Sequence, residues 1–151
     1  MKKLLLALVA MLVVFGASAQ DYKNSIGLRL GYGAELQYER HFSAENYLEA
    51  NLGLYTFNGL NLNATYNWNV CEWDWTPSAG KWFLSAGVGA SVAMFESFKT
   101  FNVGVAGDVA FGIRFNKPVT LSLDYRPTIY FLNNAWAHGF TGFALTCTYN
   151  F

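Results

Sequence analysis

The feature that most constrains the fold of this chain is a strict alternation of apolar and polar residues. Residues 60–69 read LNLNATYNWN, in which every even position is apolar and every odd position is an uncharged polar residue. A period of two is typical of a β-strand with one apolar face and one polar face. The same alternation recurs in segment after segment of the chain, and no helical period appears. The sequence therefore predicts an all-β fold.

We predict eight strands, each close to or longer than the ~9–11 residues that a tilted strand needs to cross a bilayer. They are Ser25–Tyr32, Ala34–Phe42, Tyr47–Thr56, Gly59–Val70, Lys81–Phe95, Thr100–Asn116, Val119–Phe131 and Phe140–Phe151. Pro127 is expected to break the ladder of the seventh strand, because proline has no N–H group to donate. Residues 71–80, CEWDWTPSAG, are predicted to form the longest connection. An even number of antiparallel strands can close into a barrel that leaves no edge.

The first 19 residues have the pattern of a secretory signal peptide. Lys2 and Lys3 precede an apolar run from Leu4 to Phe15, and Ala17-Ser18-Ala19 supplies a small-residue cleavage site. A membrane anchor is the alternative, but the apolar run is shorter than the ~20 residues that a spanning helix needs. We therefore expect residues 1–19 to be removed and residues 20–151 to form a single barrel domain.

Alternation alone fits two kinds of eight-stranded barrel, a soluble carrier with an apolar interior and a transmembrane barrel with a polar interior. Only 13% of the residues are charged, against a typical ~25%. The polar face therefore holds too little charge for a soluble surface, which usually has ~25–35% charged residues. The polar face is rich in small residues, which suit a narrow interior. Aromatic residues, Tyr47 and Tyr130 among them, gather near both ends of the predicted strands, as at bilayer interfaces. These features favour an eight-stranded antiparallel up-and-down transmembrane β-barrel.

The few charges on the polar faces have both signs, so we predict that they pair inside the barrel and plug it. This predicted lumen network consists of Arg29, Glu35, Glu39, Glu49, Asp108, Arg114, Asp124 and Arg126. A gated polar path is the alternative interpretation of the same residues. Cys71 and Cys147 fall on opposite sides of a closed eight-stranded sheet, so we expect two unpaired thiols.

The complete pattern resembles the small outer-membrane β-barrel proteins of Gram-negative bacteria, the porin-like and OmpA/OmpX/OmpW-type eight-stranded barrels. The resemblance rests on the signal sequence, the strand pattern, LSLDYRP at 121–127 and the closing LTCTYNF. It implies that Leu145, Tyr149 and Phe151 form a terminal assembly signal. It also implies delivery by periplasmic chaperones, insertion by the barrel assembly machinery, and contact with outer-membrane lipids and lipopolysaccharide. Long loops in such proteins usually face outward, yet residues 71–80 are predicted on the periplasmic side.

Candidate chemistry is sparse. His41 and Ser43 share a strand face, and Glu39, Glu45 and Glu49 lie near them in sequence, which suggests a serine hydrolase as one hypothesis. The resemblance to outer-membrane barrels implies that such a hydrolase would modify lipid. His138 has no metal-ligand partners at a suitable spacing. No motif suggests a cofactor, and the zero net charge without a basic patch argues against nucleic acid.

We therefore expect a monomeric, non-catalytic protein of the outer membrane with a structural or minor porin-like role. A barrel that binds or transports a small amphiphile is the first alternative, and the hydrolase is the second.

Overall fold

The structure is a computed structural model that describes residues 22–55, 59–95, 99–131, 136–137 and 142–151. The predicted signal peptide and His138 lie outside these residues. The strands are β1 (Asn24–Gly31), β2 (Gly33–His41), β3 (Asn46–Tyr55), β4 (Gly59–Thr76), β5 (Gly80–Phe95), β6 (Thr100–Phe115), β7 (Val119–Tyr125), β8 (Thr128–Tyr130), β9 (Trp136–Ala137) and β10 (Phe143–Asn150). Among the described residues, no helix has the length and hydrophobicity needed to span a bilayer.

Consecutive antiparallel pairing closes these strands into a ring of eight. Each of β1 to β5 pairs with the next strand along the chain, and β6 pairs with both β7 and β8. The two-residue β9 pairs with β8. The ring closes where β10 pairs with β7 on one side and with β1 on the other, with Ser25 opposite Asn150. The predicted all-β, antiparallel, up-and-down architecture is confirmed, and a closed ring of this kind is compatible with a barrel.

β7 and β8 together are the seventh member of the ring, interrupted at Pro127. Val109 lies opposite Tyr125 and Ala106 opposite Thr128, so the register is the same on both sides of the interruption. Pro127 cannot donate to β6, although its carbonyl accepts a hydrogen bond from the Gly107 N–H group at 2.9 Å. At the predicted break, the pairing with β6 therefore lacks one N–H donor, but its register is unchanged.

The prediction of a long loop over residues 71–80 is wrong. β4 continues to Thr76, a short turn follows, and β5 begins at Gly80, with the Ala79 N–H group bonded to the Thr76 carbonyl at 2.9 Å. Trp73 lies opposite Trp82, and the register shifts on both sides of that pair. Stacked rings stabilise the extension, since Trp73 and Trp75 have centroids 5.2 Å apart.

This hairpin lies at the end of the ring where β1 begins and β10 ends. The Asn24 N–H group bonds the Phe151 carbonyl at 3.0 Å, which fixes that end of β1 beside the end of β10. The β2–β3 and β6–β7 connections lie there as well, because every second turn of an up-and-down ring is at the same end. We call it the terminal end.

The polar faces of the strands point into the ring and the apolar faces point outward. Asn63, Thr65 and Asn67 are at most 2% exposed, whereas Leu62 is 51% exposed. The same contrast holds at Leu30, at 54%, and Leu145, at 52%. The interior is therefore polar and the outer surface apolar, which is the reverse of a soluble globular protein.

Two aromatic residues that the sequence places near the ends of the strands point inward instead. Tyr47 and Tyr130 are buried, and their hydroxyl groups contact the Ser85 and Ser91 hydroxyl groups at 2.9 and 3.1 Å. Both belong to the polar faces of their strands, where a phenol can fill space and still make a hydrogen bond.

Candidate functional site

Arg126 lies at the centre of the interior and binds three carboxylates from three different strands. Its Nη1 atom is 3.0 Å from Glu35 Oε2 and its Nε atom is 3.2 Å from Asp108 Oδ1. Its Nη2 atom donates to Glu49 Oε1. The arginine side chain is 4% exposed, so these ion pairs are removed from water and each partner depends on the others.

Arg29 joins this cluster through Glu35 and adds a fourth carboxylate. Its Nη1 atom is 3.4 Å from Glu35 Oε1, and its Nε atom donates to Asp124 Oδ1 at 2.5 Å. Its Nη2 atom donates to the Gly142 carbonyl at 2.8 Å. The Thr146 hydroxyl donates to the second oxygen of Asp124 at 2.5 Å. Both guanidinium groups are thus held by the strand walls around them.

Three asparagine side chains form a further layer around the carboxylates. Asn61 Nδ2 donates to Glu35 at 2.8 Å, and Asn51 and Asn67 donate to the two oxygens of Glu49 at 2.6 and 3.2 Å. The sequence placed these residues on the polar face but gave no sign that they bind the acids. Carboxylates accept hydrogen bonds and cannot donate them, so amide N–H groups satisfy what the arginines leave open.

The structure brings together six of the eight residues of the predicted lumen network, namely Arg29, Glu35, Glu49, Asp108, Asp124 and Arg126. We call these six the central cluster. It fills the middle of the ring, and a cavity of only about 10 Å³ adjoins it, lined in part by Glu49 and Asp124. Such a cavity holds about one water molecule.

The other two residues, Glu39 and Arg114, lie towards the terminal end and pair elsewhere. Glu39 Oε2 is 3.0 Å from His41 Nε2. Arg114 donates to Glu72 Oε1 and to Asn69 Oδ1, both at 2.7 Å. The guanidinium carbon of Arg114 also lies 4.1 Å from the centre of the Phe83 ring, a cation–π contact. The eight residues therefore do not form a single network. Six form the central cluster, and Glu39 and Arg114 make separate contacts towards the terminal end.

A cavity of about 1030 Å³ opens at the terminal end, beyond Arg114 and His41. We call it the mouth cavity. Its charged lining comprises the cations of Lys23, Arg40, Lys81 and Arg114 and one carboxylate, Glu72. Its remaining lining is Tyr22, His41, Phe42, Ser43, Ala44, Asn69, Phe115 and Asn116. Burial raises the pKa of the Tyr22 phenol. The mouth cavity is therefore cationic with aromatic walls.

The structure does not bring the predicted hydrolase pair together. The Ser43 hydroxyl donates to Asn46 Oδ1 and accepts from the Glu45 N–H group, both at 3.1 Å. His41 Nε2 instead contacts the Ser25 hydroxyl at 3.2 Å and the Glu39 carboxylate at 3.0 Å. A relay that activates a serine needs the hydroxyl and the carboxylate on opposite ring nitrogens. Here both use the same nitrogen, so the contacts position the ring.

Both cysteines are free, as the sequence predicts, with Cys71 exposed and Cys147 half-buried. Within the described residues, no group of three or more histidine, cysteine, aspartate or glutamate residues is arranged to hold a metal ion.

No protein-family model, curated protein or solved structure matches this chain.

The three residues of the predicted assembly signal lie at or just beyond β10, which closes the ring. Leu145 and Phe151 are exposed on the apolar side, and the Tyr149 and Phe151 rings stack with their centroids 6.4 Å apart. The Tyr149 and Phe151 rings and the Leu145 side chain therefore lie on β10 or just beyond it, beside the strand pairs that complete the closure.

Proposed function

We propose that this chain is an integral protein of the bacterial outer membrane, in which the ring of eight strands spans the bilayer as a closed β-barrel. The observation that carries this proposal is the reversed surface: leucine side chains such as Leu30, Leu62 and Leu145 are about half exposed, while the polar residues are buried. A soluble monomer rarely exposes a continuous apolar surface of more than a few hundred Å². A bilayer would cover the apolar surface with lipid and so remove the free-energy cost of exposing it to water.

The distribution of exposed charge supports the same proposal. The exposed charged residues of the described chain are Lys23, Arg40, Glu45, Glu72, Asp74, Lys81, Lys99 and Lys117. Each lies at an end of a strand, in a turn, or on the extension of β4 and β5. The outer face between the ends is thus an uncharged band, the property that a lipid-facing surface requires.

The proposed role is structural or minor porin-like, without catalysis and without a permanent pore. Two arginines and four carboxylates cross-link β1, β2, β3, β6 and the β7–β8 segment inside the ring. An eight-stranded interior is just wide enough for side chains to fill it. Such a plug stabilises the wall and obstructs solutes, and planar-bilayer recordings on the refolded protein are expected to show no steady conductance.

The membrane proposal has a direct test. After refolding in detergent, the unheated protein should migrate differently from the boiled protein on a denaturing gel, and it should precipitate when the detergent is removed. A folded monomer that remains in solution without detergent would refute the proposal and favour a soluble barrel.

The partners and location inferred from the sequence belong to this proposal. A monomer contacts outer-membrane lipids and lipopolysaccharide, and it reaches the membrane through periplasmic chaperones and the barrel assembly machinery. The closing strand with Leu145, Tyr149 and Phe151 supplies the assembly signal. Replacing Phe151 with serine is expected to lower the amount of inserted protein, and unchanged insertion would remove that role.

A second candidate function is a barrel that binds or transports a small amphiphile, and the mouth cavity is the observation that favours it. The hydrolase using His41 and Ser43 stays a prediction, and it is the weaker one because their hydroxyl and imidazole groups have other partners. Unaltered lipid A in cells that express His41→Ala in place of the wild type would end that hypothesis.

A further inference from the structure

The mouth cavity is lined by four cationic side chains but by one carboxylate. Glu72 is its single lining carboxylate, and it serves two cations: Arg114 at 2.7 Å and Lys81 at 3.9 Å. Lys23 and Arg40 make no ion pair with any described residue. The side chains that line the cavity therefore have a formal excess of positive charge, although Glu39 pairs with the lining residue His41, and a bound anion would offset this excess.

The two unpaired cations lie at the outer edge of the cavity. Arg40 is exposed and follows Tyr38 on the apolar face of β2, and its Nη1 atom is 2.7 Å from Asn24 Oδ1. The Tyr38 hydroxyl donates to the same oxygen at 2.8 Å. Arg40 thus has one anchored nitrogen and other N–H donors that remain available, at the boundary between the apolar band and the terminal end.

The inner edge offers a different set of groups. Arg114 is held in place by Asn69, Glu72 and the Phe83 ring. Lys81 lies opposite Arg114 in the pairing of β5 with β6, and its side chain is 61% exposed. At this inner edge, the Arg114 side chain is therefore held by its partners, whereas the Lys81 side chain is open to solvent. This arrangement suits a small anionic group that enters from the terminal end.

We propose that the mouth cavity binds a phosphate group with net negative charge, either of a phospholipid or of a soluble phosphate ester. Arginine and lysine together match this ligand, because guanidinium N–H groups bond phosphate oxygens bidentately and ammonium groups supply charge. The aromatic walls at Phe42 and Phe115 accept the carbon atoms attached to the phosphate. The lipid source rests on the proposed membrane location, whereas the soluble source does not.

The test uses the full chain refolded in nonionic detergent. Native mass spectrometry counts the dimyristoyl phosphatidylglycerol and dimyristoyl phosphatidylcholine that remain bound when each lipid is supplied at the same mole fraction. A parallel titration with inorganic phosphate follows the side-chain signals of the arginines by NMR. We expect one phosphatidylglycerol to be retained in preference to phosphatidylcholine, or the Arg40 and Arg114 signals to shift with phosphate.

The comparison is with Lys23→Gln/Arg40→Gln, which removes both unpaired cations and leaves Arg114 with its partners. Loss of two charge-assisted contacts should weaken binding about tenfold or more. Lys99→Gln is the matched control, because it removes an exposed lysine at the opposite end of the ring and should bind as the wild type does. Migration on an unheated gel verifies that each variant is folded, and the two single substitutions replace the double variant if it is not.

Retention of phosphatidylglycerol without a response to inorganic phosphate assigns the site to a lipid, and the reverse assigns it to a soluble ester. The proposal is overturned if neither probe binds, or if the double variant binds both as the wild type does. A protein that is folded and soluble without detergent but shifts with phosphate would refute the membrane proposal alone.

Discussion

Replacing Arg126 with methionine should destabilise the protein more than any other single loss of charge. The arginine holds Glu35, Glu49 and Asp108 in the buried interior. Methionine keeps most of the apolar stem but leaves four carboxylates of the central cluster with only Arg29. Removing one partner of a buried ion pair costs about 3–5 kcal/mol, so we expect the free energy of unfolding to fall by about that amount.

The measurement is urea unfolding of the refolded protein in detergent, followed by tryptophan fluorescence. The control is Arg40→Met, since Arg40 is exposed and makes its hydrogen bond to Asn24; surface changes of this kind usually stay within about 0.5 kcal/mol. The dependence of the free energy of unfolding on urea concentration should have the same slope as in the wild type. A lower unfolding midpoint then reports a loss of stability and not a change in the unfolded state.

A double-mutant cycle with Glu49→Gln separates the ion pair from general damage. Glu49 Oε1 accepts hydrogen bonds from both Arg126 and Asn51. The glutamine removes a negative charge that Arg126→Met leaves uncompensated, so the double variant should be more stable than the sum of the single effects predicts, by about 1–3 kcal/mol. Additive effects, or an Arg126→Met variant as stable as the Arg40→Met control, would refute the reasoning.

Three further predictions follow from the wall of the ring. Leu62→Arg, on the outer face, should destabilise the protein in lipid vesicles by about 2–4 kcal/mol if it lies near the bilayer midplane. A Leu62→Arg variant as stable as the Leu62→Ala control would speak against lipid contact. Gly87→Ala should cost about 1–3 kcal/mol in urea unfolding, because the added carbon would lie 1.6 Å from Asn67 Oδ1. Gly107→Ala is the control, with its nearest neighbour at 3.4 Å, and equal stabilities would contradict the packing. Cys71 lies opposite Leu84 on the outer face, so it should react in the folded protein with a water-soluble or a lipid-soluble maleimide, and protection from both until unfolding would contradict its exposure.

The direction of each strand face could be predicted from the sequence, because alternation is a local property. Asn63, Thr65 and Asn67 point inward as the period of two requires. The partners of each inward charge could not be predicted in the same way. Glu35 and Arg126 are 91 residues apart, and they meet across the interior because β10 pairs with both β1 and β7 and closes the ring. Closure is a property of the whole sheet, not of any single strand.

The extension of β4 was missed for a related reason. Glu72 and Asp74 alternate with Trp73 and Trp75, so the period of two continues beyond Val70, where the predicted strand ends. Two register shifts in the pairing with β5 disturb the simple alternation there. Charged residues at the end of a hairpin are exposed whether the backbone is a strand or a loop, so their polarity alone could not decide between the two.

Glycine supplies part of the register information that alternation lacks. Gly53 faces Glu35 across the β2–β3 pair, and Gly87 faces Asn67 across the β4–β5 pair. A side-chain carbon at Gly53 would lie 2.3 Å from Glu35 Cγ, so a large inward residue occupies the space that its glycine partner leaves. A slip of two residues in the β2–β3 pair would keep the polar faces inward but would place Asn51, in place of Gly53, against Glu35. Asn51 lies opposite Gln37 in the observed register, so the slip would remove the space that Gly53 leaves for Glu35. It would also displace Glu35 from its ion pairs with Arg29 and Arg126. The pairing of a large polar residue with glycine thus favours one register among those that alternation permits.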